Sequence, residues 1–354
     1  MERVKVAEYA AMFWKGGDLI WDDYLHHRQF ALTAESESIL RWFSSWRILS
    51  TIGAPGEIQR AIADRLIDEK VLIREGSAEH YEETRLLDEW GSWGAGTRYH
   101  HFASRTDETV TYLDPASDHM AFADKAKIEP PPSPVKTFPE RPITVTAPEV
   151  HDLSRWPRPA LVDALFSRRS VRHYSRAAIP LDTLGTLVDI AAGPIDVIDN
   201  EETGSVVRKT SPSAGARSPI ELYVHVNRVH GLQPAVYHYA SARGGLERIR
   251  PAARPATLRR AVGDQPWLAE APVLLIYTAV LQRTRWRFES RRAYRDILLE
   301  AGHISQTVLL TATAMGLGSV TATALCDSVI EQILGVDPIS EPLLAVTALG
   351  FPAT

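Results

Sequence analysis

The sequence predicts an α+β fold, in which a larger C-terminal domain of interspersed strands and helices follows a smaller N-terminal module. From about Arg158 onward, runs of helical period are interspersed with short apolar runs of strand length. Before Glu129 the periodic segments are fewer. Between the two regions lies EPPPSPVKTFPERP (Glu129 to Pro142), where proline is too dense for a helix or a central strand. The chain of 354 residues also exceeds the roughly 250 to 300 residues over which a single core usually extends. The expected division is an N-terminal domain at 1–85, a connecting segment with the proline-rich linker or extended arm at 86–155, and the main domain at 156–354.

In the N-terminal part, Glu37 to Trp46 and Gly56 to Glu69 place apolar residues at helical spacing, and Lys70 to Arg74 (KVLIR) reads as a short strand ended by Glu75-Gly76. That order outlines a winged helix. Acidic residues slightly outnumber basic ones between Glu35 and Glu79, which argues against a phosphate-binding recognition helix and leaves peptide binding or structural support. The pair His100 and His101, in a segment rich in Trp and Gly, lacks a third metal ligand at a fixed spacing and reads as packing. His26 and His27 carry no assigned chemistry.

Beyond the linker, Arg158 to Phe166 and Pro180 to Ala192 are amphipathic helices. Glu221 to Asn227, Tyr237 to Tyr239, Val273 to Val280 and Leu343 to Leu349 read as strands, with VLLIYTAV apolar enough to be central. A long helix runs from about Arg291 to Met315 and stops at Gly316 and Gly318. Its less apolar side carries Glu300, His303 and Gln306, with His303 in a core or capping role.

Composition narrows the function. A net charge of −5, from 39 Lys+Arg against 44 Asp+Glu, sets up no strong field toward nucleic acid or an anionic membrane. The single cysteine, Cys326, excludes an internal disulfide framework and suits a reducing compartment, so a cytoplasmic location is expected. No apolar run approaches the ~18 residues of a membrane span.

Three segments point to a bound anion and a flat ring. Ser167 to Arg172 (SRRSVR) concentrates three arginines, whose guanidinium groups grip phosphate oxygens in pairs. Ser211 to Pro219 (SPSAGARSP) is a small-residue loop that lets backbone approach a planar ligand. Gly316 to Val320 (GLGSV) similarly lacks bulk. No Walker motif and no GxGxxG occurs.

In their order, RRSVRHYS, PSAGARSPIELYV, YRDILLEAGHISQTVLLTATAMGLGSV and a terminal LGFP resemble the nitroreductase superfamily, and within it the SagB-type dehydrogenases. The resemblance implies a mostly antiparallel sheet flanked by helices, with FMN held at a homodimer interface. It implies that Arg168 and Ser170, with Arg169 adjacent, touch the FMN phosphate and ribityl chain. Arg172 would face the pyrimidine edge of the flavin, where a cation stabilises charge on the reduced ring. Pro212, Ser213, Ala214 and Gly215, with Arg217 in the same loop, would reach the flavin from the other subunit. Leu317, Gly318 and Ser319 would lie along the ring near N5.

Two departures qualify the match. The family's basic residue after the last strand is replaced by Gly350-Phe351-Pro352-Ala353-Thr354. Peptide azoline oxidases carry a Lys-Tyr pair before the long helix, and Arg287-Phe288 stands there instead. Arginine stays protonated and phenylalanine has no proton to exchange, so Glu289 or Tyr294 is left as the base. The expected reaction is FMN-dependent dehydrogenation of an azoline or amino-acid-derived group in a peptide or carrier-bound natural product. A base removes the Cα proton, hydride passes to flavin N5, and O2 reoxidises the flavin. Two alternatives are an NAD(P)H-dependent reductase of a nitro, quinone or enone group, and a non-catalytic peptide-binding partner of other biosynthetic enzymes.

Overall fold

The computed structural model describes residues 1–52, 57–90, 94–104, 115–138, 140–146, 161–199, 203–288, 290 and 292–353. They fall into two units, 1–111 and 112–354.

The smaller unit contains more sheet than its sequence suggests. Arg3–Val6 pairs antiparallel with Arg47–Ile48 and with Leu72–Arg74. Ala10–Lys15, Asp18–Asp23 and Arg28–Leu32 form an antiparallel meander. Gly16 and Gly17, at φ 61° and 96°, supply the two-residue turn of its first hairpin, a conformation that disfavours side chains. The helices Ala34–Trp42 and Glu57–Asp68 follow where periodicity placed them, the first capped by the Thr33 hydroxyl, which accepts from Ser36 N. Two further helices, Ala78–Trp90 and Gly94–Ala103, were not read from the sequence. Trp21, Tyr9, Tyr24 and Phe43 centre the core. His26 bonds Asp23 and Glu82, both through ring nitrogens, and thereby ties the meander to Ala78–Trp90. Its pKa is raised, first by the Asp23 hydrogen bond.

In the larger unit a seven-stranded sheet has the spatial order Gly318–Ala322, Leu343–Gly350, Val273–Ala279, Ile220–Val226, Ala235–Ala240, Gly245–Pro251, Ile143–Thr146. Every neighbouring pair is antiparallel. The central strand Val273–Ala279 is buried at every residue. Val273, Leu275 and Tyr277 pack under the helices Leu181–Ala192 and Ala293–Ala314, while Leu274 and Ile276 pack under Pro255–Ala261 and Asp327–Leu334. Burial on both faces explains why this strand shows no polar alternation.

The proline-rich segment belongs to this larger unit and lies along its sheet. Ser133 O accepts from Arg283 Nε at 3.0 Å, Lys136 Nζ donates to Tyr223 Oη at 2.7 Å, and Arg141 Nη1 donates to Ile249 O at 2.7 Å. It continues into Ile143–Thr146, which pairs with Gly245–Pro251. Unable to donate regularly to a ladder, the prolines leave an extended arm whose anchors come from side chains.

Candidate active site

The arginine-rich first segment and the third segment meet. After the helix Leu161–Ser167, the chain runs extended through Ser170, which bridges Ser319 in parallel; Val171 N donates to Ser319 O at 3.1 Å. A Cβ added to Gly318 would lie 2.7 Å from Val171 Cγ1, so the close packing of these two segments requires glycine there. Arg168 closes the preceding helix, its N donating to Ala164 O at 3.0 Å, and the bridge begins two residues later at Ser170. Ser319 is buried, and its Oγ has no hydrogen-bond partner among the described residues.

The neighbours in these segments have separate tasks. Arg169 Nη1 donates to Phe166 O at 2.7 Å and to Arg168 O at 2.8 Å, which commits it to the end of its own helix. Arg172 lies with its guanidinium 5.4 Å from the Trp267 ring centre, in an 800 Å³ cavity that also admits Arg176 and Arg228. Leu317 has its side chain in the core, and its amide donates to Ala312 O at 2.8 Å to close the long helix.

The second segment, Ser211 to Ser218, is held against the long helix. Ser211 Oγ is 2.7 Å from Thr307 Oγ1, His303 Nδ1 donates to Pro212 O at 3.3 Å, and Ser213 bonds the buried Glu300 carboxyl. Burial raises the Glu300 pKa against that bond and the charge of Lys209. Gly215, Ala216 and Ser218 are left-handed, at φ 56°, 52° and 45°. For the two non-glycines this costs on the order of 1 to 3 kcal/mol each. Ser218 is fixed at both backbone groups: its N donates to Ser213 Oγ at 2.9 Å and its O accepts from Arg283 Nη1 at 2.8 Å.

Arg283 roots this loop in a buried charged network that the sequence reading missed. Its Nη2 lies 2.6 Å from Glu221 Oε1. His238 Nε2 is 2.7 Å from Glu221 Oε2, His238 Nδ1 is 2.7 Å from Glu247 Oε1, and Arg243 completes the chain on Glu247. Burial opposes ionisation of Glu221, but the His238 hydrogen bond and the Arg283 charge prevail and lower its pKa to about 2. Burial likewise opposes the His238 cation, and its bonds to Glu221 and Glu247 outweigh it and raise its pKa. The register places His238 directly opposite Glu247.

On its other side the loop faces the segment before the long helix. A Cβ at Gly215 would lie 3.2 Å from Phe288 Cζ and 3.4 Å from Arg287 Cγ. Arg217 sits 5.0 Å over the Trp286 ring, and Arg287 sits 3.0 Å over the Phe122 ring. Tyr294, 40% exposed, lines a 190 Å³ hollow with Phe288, Leu281 and Ile297. Glu289 lies outside the described residues.

A buried Ser319 hydroxyl without a partner among the described residues, on a strand bridged to Ser170, with Arg168 two residues before that bridge, fits a phosphate-bearing planar cofactor such as FMN. The decisive match covers residues 165–351, which fit the model of the nitroreductase family.

The chain belongs to the nitroreductase family.

Nitroreductases are flavin-dependent oxidoreductases, and the fold and the family agree. A Methanocaldococcus jannaschii protein named as a nitroreductase is 38% identical over 176 residues, which cover 50% of this chain and 84% of that relative. The trifolitoxin-processing protein TfxB of Rhizobium leguminosarum bv. trifolii is 31% identical over 180 residues, 49% of this chain and 48% of TfxB. A solved nitroreductase structure from Anabaena variabilis superposes with a TM-score of 0.54 at 24% identity, covering 73% of this chain and 48% of that one. The chain thus spans about half the length of the latter two proteins. Among the described residues no helix is long and apolar enough to cross a membrane, and no cluster of three or more His, Cys, Asp or Glu side chains could hold a metal.

Proposed function

We propose that this nitroreductase-family chain is an FMN-dependent dehydrogenase acting on an azoline or amino-acid-derived group of a natural product under maturation. The observation that carries the cofactor is the Ser170–Ser319 bridge, whose buried Ser319 hydroxyl has no partner among the described residues, with Arg168 two residues before Ser170 in the chain. Arg168 and Ser170 would hold the phosphate and ribityl chain, and Gly318 and Ser319 would border the ring. Pro212 to Gly215 would close the site of a second copy. Exposed Leu161, Val162, Leu165 and Phe166 on one helix, with Leu298 and Leu299 on the long helix, favour such a homodimer. The likeness to a protein named for processing trifolitoxin supports the substrate class and a place beside other biosynthetic enzymes.

When bound, FMN supplies the hydride acceptor. The protein's own share is to orient the substrate C–H bond and to move its proton. Tyr294 is the proton carrier this reading favours, because its phenol is solvent-accessible beside Phe288. Arg287 stays protonated and acts as a fixed charge. The M. jannaschii relative favours a second reading, reduction of an acceptor by NAD(P)H.

Purified protein is expected to be yellow, with about one FMN per chain, to leave NADPH unconsumed in air and to sediment as a dimer. Colourless protein that takes up no added FMN would remove the cofactor reading. Steady NADPH oxidation without a further substrate would select the reductase instead.

A further inference from the structure

Arg217 is 8% exposed, yet among the described residues no carboxylate or carbonyl accepts a hydrogen bond from it. Its surroundings are the Trp286 ring and a second cation, Arg287. Burial, and then the Arg287 charge, lower its pKa, the direction expected of a cation without compensation. A buried charge without a counter-ion is costly, so the occupied state of this site should contain an anion. Two residues back along the loop, Gly215 packs against Phe288, which is also a wall of a 190 Å³ hollow bordered by Leu281, Tyr294 and Ile297. A guanidinium left without a counter-charge among the described residues fits a planar anion with two oxygens, a carboxylate.

We propose that Arg217 is a substrate-anchoring residue that binds a carboxylate of the substrate. The inference rests on the reading above, in which Arg168, Ser170 and Ser319 hold the cofactor and leave Arg217 for the substrate. Trp286 and the left-handed turn at Gly215 and Ala216 hold the guanidinium in place, so little freedom is lost on binding. A charged hydrogen bond of this kind favours a carboxylate over its neutral isostere by about tenfold or more.

The test titrates FMN-loaded protein with benzoate and with benzamide by calorimetry. Benzoate should bind at least about tenfold tighter. Arg217→Met should abolish that preference, and Arg217→Lys should retain part of it, with FMN affinity unchanged in both. Equal binding of the two probes to wild type overturns the proposal and needs no variant. A fall in FMN affinity of Arg217→Met would instead assign the residue to the cofactor. Conversion of that variant to a monomer with the benzoate preference intact would assign it to the subunit interface, and either result overturns the proposal. Protein that takes up no FMN defeats the flavin reading alone, since the benzoate and benzamide comparison can still be made on it.

Discussion

Two arginines, Arg217 within one strained loop and Arg283 bonded to it at Ser218, live under opposite conditions. Arg283 is 3% exposed and makes an ion pair with Glu221 and hydrogen bonds to Ser218 O and Ser133 O. Arg217 is nearly as buried and, among the described residues, has none of these. The same side chain serves architecture in one place and, on the reading above, recognition in the other. What separates them is whether the fold itself supplies the counter-charge. Arg169 and Arg168 repeat the contrast at smaller scale. Arg169 is spent on the carbonyls of Phe166 and Arg168, whereas among the described residues the Arg168 side chain makes no hydrogen bond or ion pair.

The largest effect should come from removing the satisfied arginine. Arg283→Met leaves Glu221 buried without its cation and should cost about 3 to 5 kcal/mol in urea unfolding, whereas Arg217→Met should stay within about 1 kcal/mol of wild type or gain stability. Equal losses would break the contrast. Next, Arg168→Ala should weaken FMN affinity by about 2 to 5 kcal/mol, tens- to thousands-fold, with Arg168→Lys recovering part. Arg169→Ala should lower helix stability by about 1 kcal/mol or less and leave FMN affinity unchanged. FMN titration of refolded apoprotein, with circular dichroism as a folding control, separates the two; equal affinities across the Arg168 series would exclude its phosphate role.

The pH dependence of stability sharpens the comparison further. Glu221, with its pKa lowered to about 2 from 4.5, contributes stability that is fully present above pH 4.5 and is lost as pH falls toward 2. That contribution is on the order of 3 kcal/mol. His238, with its pKa raised from 6.5, contributes stability that is fully present below pH 6.5 and is lost as pH rises through its higher value. Urea midpoints should therefore be highest between about pH 4.5 and 6.5 for this network. Glu221→Gln should flatten the acid limb and His238→Gln the alkaline one; an unchanged acid limb in Glu221→Gln would show that the network is not coupled to folding.

Patterning alone specified the long helix Ala293–Ala314 and the strands Ile220–Val226, Val273–Ala279 and Leu343–Gly350, because long periodic or continuously apolar runs have few alternative burials. It also marked the arginine cluster and the two small-residue segments, since glycine and clustered arginine are visible without coordinates. The four strands within the first 32 residues escaped notice because they are short and interrupted by charge, and pairing rather than local preference makes them strands. Adjacency could not tell Arg168 from Arg169, nor Arg217 from Arg283; only the folded chain decides which carbonyls and carboxylates come within reach. Glu221, His238 and Glu247 stand far apart in sequence and meet because strand register brings them side by side. Hydrophobic period is a local property written into the chain, whereas the compensation of a buried charge is a property of space, and only the tertiary structure determines it.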